Sequence, residues 1–452
     1  MKKCLSLFFL LCLLWIAAPG AFADDASGPL PISVSRDGQS LGALTDDSRT
    51  TRATLEAGQS LQIHSDTPLQ GLYLIWEKPA PCTLVGEDGS TQAHDTGFLH
   101  DYLSLEGLTD FSLLLPEGGQ LCEVYGFEDG ELPDWVQRWQ PPCEQADFLL
   151  MPTHADDEHL WFGGAMPYYA AERGLEVQVA YLISHWDQPP RPHELLDGLW
   201  TVGVTRYPVI SDFPDYYADN LAAAQSLYNE EEILAWQVEQ LRRFQPAVVV
   251  GHDLEGEYGH GVHCLNAKCL LQAVEDAADP SLFPESAQRY GSWDTPKLYL
   301  HLYPENTIVM DWENIFLDSF GGKSAIEVAR EGFACHASQQ GVFHVTGAGG
   351  WYDCRLFGLA RSLVGPDLAG NDFFENVSIP SQQPSPTPSP TPSPSPTPSP
   401  SPTPEPSPPD SGQGGPLLWA AGAGLIILLL AAFFFFRKRR KKPDNRRIYR
   451  AK

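Results

Sequence analysis

The stretch FLLMPTHADDEHLWFGG, residues 148–164, joins a short apolar run to a polar loop that ends in a Gly-Gly pair. Its first four residues, 148–151, have the length and composition of a buried strand. A second stretch, 247–263, repeats this order, with the apolar run 247–250 followed by a loop rich in histidine and acidic residues. The two stretches therefore predict two buried strands that each end in a polar loop.

Strand-like and helix-like segments alternate between residues 142 and 379. The predicted order is strand 148–151, helix 160–173, strand 177–183, helix 192–202, strand 204–210, helix 230–244, strand 247–250 and a helix from about 262. This alternation predicts an α/β fold with a Rossmann-like, mostly parallel sheet and helices on both faces. Because ligands of such sheets bind beyond the carboxyl ends of the strands, the loops after residues 151 and 250 are the candidate site.

These two loops contain the residue types of a zinc site. The first carries His154, Asp156 and Asp157, and the second carries His260 and His263. Two imidazoles and one carboxylate at neighbouring strand ends can hold Zn²⁺ tetrahedrally and leave one position for water, whose pKa then falls to about 7. Since adjacent side chains in a tight turn point in different directions, we expect one aspartate to bind the metal and the other to accept a proton.

The same residues form a pattern that resembles the PIG-L or LmbE-like zinc-dependent de-N-acetylases. That family has His-Pro-Asp-Asp-Glu, then Gly-Gly, and later Gly-His-x-x-His, which correspond to 154–158, 163–164 and 259–263 in this chain. The resemblance covers roughly residues 146–376. Further along the chain it includes Arg191, Glu194 and the run His336-Ala337-Ser338-Gln339.

The resemblance implies a role for each residue of the pattern. The implied zinc ligands are His154, Asp157 and His263. The other implied roles are Asp156 as general base, Tyr258 and His260 as the groups that stabilise the oxyanion, and Arg191 as a substrate-binding residue.

Two positions depart from the family pattern. Ala155 replaces the usual proline, and Gly261-Val262 replaces the usual pair between the two histidines. Neither change removes a ligand, but Gly261 is expected to loosen the start of the helix that carries His263. Four further histidines have no support from the pattern and are expected to be structural or to face the substrate: His159, His185, His252 and His301.

The N-terminal part of the chain has a different pattern. Residues 1–23 are typical of a secretory signal peptide. Residues 24–141 alternate apolar and polar positions between frequent turns, which predicts an all-β sandwich. Its segments 44–48 and 122–126 resemble the ends of discoidin-type, galactose-binding-like sandwiches. Such modules often bind glycans, and a spacer or docking role fits the sequence equally. The α/β region, the predicted zinc de-N-acetylase domain, then spans 142–379.

The C-terminal part predicts a tether. Residues 380–416 form a Pro/Ser/Thr-rich linker whose core should be an extended stalk of about 80 Å. The uncharged segment 417–436 predicts a transmembrane helix, and the basic tail 437–452 predicts a cytoplasmic C-terminus. The run 408–412 faintly resembles a sortase signal, but its missing leucine favours a retained anchor. These features predict a single-pass protein of the cell membrane with an extracellular catalytic region.

The charge of the chain limits its possible partners, and its cysteine count limits its possible disulfides. Between residues 24 and 436 there are 17 basic and 57 acidic residues, and such a surface disfavours nucleic acid. Seven cysteines follow the predicted signal peptide, so at least one stays unpaired. The candidate disulfides are Cys82 with Cys122 and Cys335 with Cys354.

Together these patterns predict a zinc-dependent hydrolase that removes acetyl groups from N-acetylated sugars of extracellular glycans, of the N-acetylglucosamine type. Two alternatives remain open. The protein can be a surface adhesin or lectin whose second domain is catalytically silent. It can also be an amidase that acts on another sugar conjugate.

Overall fold

The computed structural model describes residues 28–383. The predicted signal peptide 1–23, nearly all of the linker 380–416, the predicted transmembrane segment 417–436 and the tail 437–452 lie outside the described residues. The described part contains an N-terminal antiparallel sheet followed by an α/β region, and both belong to one structural unit.

Alternating apolar residues build the N-terminal sheet, because every second side chain of a strand faces the same side. Its strands are β1 (Ser33–Arg36), β2 (Gln39–Ser40), β3 (Ala53–Leu55), β4 (Gln59–Lys78), β5 (Cys82–Gly86), β6 (Thr91–His94), β7 (His100–Leu115) and β8 (Gly119–Phe127). The order is β2-β1-β4-β7-β5-β6, while β8 pairs with the second half of β4, and β3 with β8. The register of β4 against β7 shifts between His64 and Gly71. The two-layer sandwich, its discoidin-type resemblance and the domain boundaries stay predictions.

Seven strands form the sheet of the α/β region. They are β9 (Phe148–Leu150), β10 (Val177–Ile183), β11 (Val209–Phe213), β12 (Val248–Gly251), β13 (Lys297–His301), β14 (Thr307–Val309) and β17 (Leu356–Ser362); β15 (Phe316–Leu317) and β16 (Lys323–Ser324) form a separate pair. The order is β11-β10-β9-β12-β13-β17-β14. The first five strands are parallel, and β17 runs antiparallel to both of its neighbours.

Helices cover both faces of this sheet. They are α1 (Asp157–Leu160), α2 (Pro190–Thr201), α3 (Leu221–Leu227), α4 (Glu230–Phe244), α5 (Gly256–Gly259), α6 (Gly261–Asp276), α7 (Pro284–Tyr290) and α8 (Ala325–Ala334), with a π-helical segment at Pro167–Glu172 and 3-10 turns at Gly42–Leu44, Asp318–Phe320, Ala337–Gln339 and Pro380–Gln382. Phe148 and Val248 pack with α1, α2 and α8, whereas Leu149 and Val249 pack with α4 and α6. The prediction of an α/β fold is confirmed.

Two predicted elements differ from the structure. The predicted helix 160–173 is replaced by α1 and the π-helical segment, because the chain turns at Gly163, whose φ is +51°. A Cβ at Gly163 would lie 2.6 Å from Cys354 Sγ, so only glycine fits this close approach. The predicted strand 204–210 is displaced to β11, since Pro208 has no N–H for a strand hydrogen bond. This displacement matters for the site, because β11 ends later than the sequence indicated.

The N-terminal sheet and the α/β region share buried contacts. His100 Nε2 lies 2.9 Å from His193 Nδ1, and the rings of Phe98 and Tyr207 stack with their centroids 4.2 Å apart. Arg49 pairs with Asp197 of α2 at 2.6 Å. One apolar core contains residues of both regions. Side-chain packing therefore couples the two regions.

The buried pair His100 and His193 makes the folded state sensitive to acid. Burial lowers the pKa of His193 to about 3 and that of His100 well below its usual value. Because unfolded histidine titrates near pH 6.5, the unfolded chain binds these protons first as the pH falls. Each histidine is expected to lower the free energy of unfolding by about 1.4 kcal/mol per pH unit below about pH 6.5. Denaturant unfolding of the full chain between about pH 7.5 and about pH 5 measures this slope.

The matched variants are His193→Gln and His64→Gln. His64 is exposed, and its hydrogen bond to Asp110 raises rather than lowers its pKa. Below about pH 5.5, where His64 is protonated in both the folded and the unfolded chain, we expect His193→Gln to reduce the slope by about 1.4 kcal/mol per pH unit and His64→Gln to leave it unchanged. Equal slopes in all three proteins would contradict the prediction.

The predicted disulfides are wrong. All seven cysteines of the described residues are free: Cys82, Cys122, Cys143, Cys264, Cys269, Cys335 and Cys354. Cys354 packs against Gly163 and its carbonyl accepts a hydrogen bond from Trp312 at 3.2 Å, while Cys335 Sγ lies 3.4 Å from Thr201 Oγ1. Tertiary packing thus gives Cys335 and Cys354 different neighbours.

The predicted localisation is also corrected. Between residues 28 and 383, no helix has both the length and the apolar composition needed to cross a membrane. The longest, α6, has 16 residues and spans about 24 Å, which is less than the hydrocarbon core of about 30 Å. The segment 417–436, for which a span was predicted, lies outside the described residues. The single-pass topology and the membrane as partner are withdrawn.

Candidate functional site

The site lies where the loops after β9 and β12 meet. These strands are hydrogen-bonded neighbours and run in parallel, so their carboxyl ends share one edge of the sheet. His154 Nδ1 lies 3.0 Å from His263 Nε2, and Asp157 Oδ2 lies 3.3 Å from each of these two nitrogens. The structure therefore brings together the three residues implied as zinc ligands, and all three are buried.

The spacing of these three atoms fits a zinc ion. Ligand atoms at about 2.0–2.1 Å from Zn²⁺ in a tetrahedron are separated from each other by about 3.3–3.4 Å. The observed separations of 3.0, 3.3 and 3.3 Å are close to that edge length. Three protein ligands leave a fourth position for water or substrate, as in catalytic zinc sites. One ring nitrogen of His260 also lies within 4.8 Å of a ring nitrogen of His154 and of His263. His260 is therefore a further possible metal ligand.

Local backbone structure places Asp157 beside His154 and His263. Asp156 has φ +115°, and this turn starts α1 at Asp157. Asp157 Oδ2 accepts a hydrogen bond from the backbone N–H of His154 at 2.6 Å, and Asp157 Oδ1 accepts one from Trp161 Nε1 at 2.7 Å. The carboxylate is thus fixed on both oxygens, and Asp156 is turned away from it toward the cavity.

The second loop places His263 in the first turn of α6. His260 Nδ1 caps this helix by accepting a hydrogen bond from the backbone N–H of Val262 at 3.3 Å. A Cβ at Gly261 would lie 2.1 Å from the carbonyl oxygen of Asn220, so the close approach of these two segments requires glycine. Gly261 does not loosen the start of the helix as expected from the sequence but allows α6 to pack against the segment before α3.

Glu257 is a site residue that the sequence analysis missed. Its buried carboxylate accepts hydrogen bonds from Nδ1 of His263 at 2.7 Å and from Nδ1 of His252 and of His301, each at 3.1 Å. Because His263 donates from Nδ1, its Nε2 keeps a lone pair for a metal. His252 Nε2 in turn accepts a hydrogen bond from the backbone N–H of Thr153 at 2.9 Å. The structure therefore gives His252 and His301 structural contacts beside the site.

A cavity of about 340 Å³ opens beside these residues. Its walls include His154, Asp156, Asp157, Trp161, Arg191, Asp215, Tyr217, Tyr258, His260, Gln339, Val342 and Phe343. Arg191 Nη2 donates a hydrogen bond to the carbonyl of Ala155 at 2.6 Å and lies 3.7 Å from Asp156 Oδ1. The implied base, oxyanion and substrate-binding residues all line this one cavity.

Asp215 is a second residue that the sequence analysis missed. It lies 3.7 Å from His154 Nε2, 3.5 Å from His185 Nδ1 and 3.8 Å from Arg191 Nη1. The sequence pattern does predict a strand before Asp215, but it places the end of that strand at residue 210, whereas β11 ends at Phe213. With the correct strand end, the rule that selected the other two loops also selects the loop that carries Asp215.

A buried polar group supports the first loop from behind. Glu158 accepts hydrogen bonds from His336 Nε2 at 3.0 Å and from the backbone N–H of Asp156 at 2.8 Å. The ring of His159 lies beside His336, and glycines at 198 and 332 leave room for it. His159 is fully buried and therefore does not face the cavity.

Burial and neighbouring charges separate the pKa values of the two adjacent aspartates. Burial and the charge of Asp157 raise the pKa of Asp156 well above its usual value. Burial acts in the same direction on Asp157, but the imidazoles of His263 and His252 outweigh it and hold the pKa of Asp157 well below its usual value. The site thus favours the ionised state of Asp157 and the protonated state of Asp156.

Burial also sets the charge of two histidines. It lowers the pKa of His154 to about 4 and that of His260 to about 3, so both rings are neutral at pH 7. Because His260 Nδ1 accepts the hydrogen bond of the helix cap, its Nε2 carries the proton. Burial raises the pKa of Tyr258 as well, so its hydroxyl stays protonated. His260 and Tyr258 are therefore hydrogen-bond donors on the cavity wall.

Fold and site together define an α/β protein with a buried His/Asp group of the kind that holds Zn²⁺, which confirms the predicted cofactor.

No family model matches the chain. The chain is 27% identical over 198 residues to a 1D-myo-inositol 2-acetamido-2-deoxy-α-D-glucopyranoside deacetylase of Streptomyces scabiei, with coverage of 38% of this chain and 60% of the relative. A deacetylase of the same name from Streptomyces avermitilis is 30% identical over 183 residues, with coverage of 34% and 61%.

Among solved structures, the N,N'-diacetylchitobiose deacetylase of Pyrococcus horikoshii aligns with 44% of this chain and 73% of its own, at a TM-score of 0.35 and 17% identity. The sequence matches confirm the resemblance to the PIG-L or LmbE-like deacetylases. It spans about three fifths of the length of the curated relatives that it matches.

Proposed function

We propose that this protein is a zinc-dependent hydrolase that removes the acetyl group from an N-acetylated sugar of the N-acetylglucosamine type. The observation that carries the proposal is the triangle of His154, Asp157 and His263 atoms, 3.0–3.3 Å apart, beside the second aspartate and an open cavity. The relatives, which deacetylate an acetamido sugar according to their name, support the choice of substrate.

The zinc ligands in this proposal are His154, Asp157 and His263. When bound there, Zn²⁺ supplies a Lewis acid that polarises the amide carbonyl and acidifies a water molecule. Glu257 fixes the ring of His263 through Nδ1, and Trp161 fixes the carboxylate of Asp157. These contacts hold the ligands in place before substrate binds.

Asp156 acts as the general base in this proposal. Its carboxylate takes the proton of the attacking water and later delivers it to the nitrogen of the departing amine, so acetate and a free amino sugar result. The protonated Tyr258 hydroxyl and the N–H of His260 Nε2 donate hydrogen bonds to the oxygen on which negative charge develops. Arg191 holds the loop at Ala155 and lines the cavity in which the substrate binds in this proposal.

The experiment compares acetate and free-amine release by the full chain from N-acetylglucosamine, its oligomers and an unrelated amide conjugate. We expect release from the N-acetyl sugars, loss of activity after chelation and recovery with Zn²⁺. Release from the conjugate alone would favour the amidase alternative. Sugar binding without bound metal and without acetate release would favour the adhesin or lectin alternative.

Glu257 provides a separate test of the metal centre. Replacing Glu257 with glutamine removes the negative charge that orients three imidazoles, so we expect zinc affinity to fall roughly 10- to 100-fold. Competition with a chromophoric chelator measures this affinity. The matched control is Glu255→Gln, since Glu255 is exposed and two residues away. Equal zinc affinity in the two variants would show that Glu257 does not position His263.

A further inference from the structure

A second, larger cavity lies between the N-terminal sheet and the edge strand β11. It has a volume of about 610 Å³, within the range of small-molecule sites. Glu77, Lys78 and Gln120 contribute polar groups from the N-terminal sheet, whereas Trp186, Tyr207 and Ile210 form the wall of the α/β region. We call it the lateral pocket. Neither region forms this pocket alone.

Trp186 gives the lateral pocket an exposed aromatic wall. Its side chain is large and apolar, yet the residue is 48% exposed. Tyr207 on the same wall is held by its stack on Phe98 and by the hydrogen bond from the backbone N–H of Leu99 to its hydroxyl, at 3.1 Å. A pocket lined by an indole ring and by polar residues matches a pyranose ring, which has an apolar C–H face and a rim of hydroxyl groups.

Residues adjacent in sequence connect the walls of the lateral pocket and of the catalytic cavity. His185, next to Trp186, contacts Asp215 at 3.5 Å, and Asp215 lines the catalytic cavity. Ile210 of the lateral pocket and Asp215 are five residues apart in sequence, so their Cα atoms are separated by at most about 18 Å. The distance between these two walls is therefore within the length of an extended oligosaccharide.

The charge of the chain indicates a neutral ligand. The body of the protein is strongly acidic, and the carboxylate of Glu77 in the pocket itself is paired with Arg52. An anionic chain would be repelled by this surface, whereas an uncharged oligosaccharide would not. The polar groups of Lys78 and Gln120 can hydrogen-bond to hydroxyl or acetamide groups without a charged partner.

We propose that the lateral pocket binds further sugar units of an oligosaccharide whose terminal acetamide lies at the metal centre. This inference rests on the proposed function and names its substrate class: an oligomer of N-acetylated sugars rather than a monosaccharide. Trp186 is the stacking residue of this subsite, and the N-terminal sheet contributes to substrate recognition through Lys78 and Gln120.

The test measures kcat/KM of the full chain for β-linked N-acetylglucosamine oligomers of one to about five units. We expect kcat/KM to rise roughly three- to tenfold from the monosaccharide to the longer oligomers, as one aromatic stacking contact allows. Trp186→Ala should cancel this rise and leave the monosaccharide rate unchanged, and Lys78→Ala should reduce it. The matched control is Phe316→Ala, because Phe316 is 63% exposed and lines neither cavity.

The outcomes separate this inference from the proposed function. Equal kcat/KM at all lengths, with no effect of Trp186→Ala, would overturn the subsite and leave the deacetylase intact. If no oligomer releases acetate, the proposed function fails, and calorimetric binding of the tetramer then decides the pocket. Binding that Trp186→Ala weakens and Phe316→Ala does not would support a saccharide subsite. No binding to the unchanged chain would overturn it.

Discussion

Replacing Asp156 with asparagine is expected to lower kcat at least about 100-fold and to leave one zinc ion bound per chain. The amide cannot take a proton from water, and general base catalysis commonly contributes about 10²–10⁴-fold. Asparagine also tolerates the positive φ of this position, +115°, so the turn that starts α1 should persist. Acetate release together with metal analysis of the purified full chain measures both quantities.

The matched control for this variant is Asp212→Asn. Asp212 is exposed and lines no part of the catalytic cavity, so its loss should change neither kcat nor zinc content. If Asp156→Asn lost its zinc, Asp156 would be a ligand rather than the base. If it kept the full kcat, another group would accept the proton.

Replacing His263 with alanine is expected to remove both zinc and activity. A bound zinc ion in a protein is worth roughly 10–16 kcal/mol, so the loss of one of its few ligands should weaken binding at least about 100-fold. The substitution also removes one of the three imidazole partners of Glu257, and circular dichroism should therefore confirm that the variant is folded. Metal analysis and chelator competition then give the change in zinc affinity.

The matched control here is His64→Ala, which removes an exposed imidazole far from the site in sequence. It should retain zinc and acetate release. A His263→Ala variant that keeps one tightly bound zinc would contradict the proposed ligand set.

Several contacts of the site could not be predicted from the sequence. Glu257 stands in the middle of a recognisable loop, but its three imidazole partners come from this loop, from α6 and from the distant β13. Asp215 was missed because the strand before it was placed too early, and a strand end cannot be read accurately from composition. From the sequence alone, Gly261 is expected to loosen the start of α6. The structure shows instead that glycine is required there, because the carbonyl oxygen of Asn220 approaches it closely.

The disulfide prediction failed for the same reason that the contacts between the N-terminal sheet and the α/β region could not be predicted. Which cysteines, histidines or aromatic rings meet depends on how sheets and helices pack, and this packing joins residues far apart in the chain. His100 and His193, or Phe98 and Tyr207, are separated by about a hundred residues in sequence. Neither pair has a local pattern that indicates its partner.

The sequence by itself determined the α/β class and the two loops that meet at the site. Both follow from local rules, because the period of apolar residues selects helix or strand, and parallel strands bring their carboxyl ends to one edge. Only the tertiary structure decided the distances among His154, Asp157 and His263, the contact of the Glu257 carboxylate with His263 and the pocket beside Trp186. These depend on side-chain contacts between distant segments, which pack in one way only when the whole chain is folded.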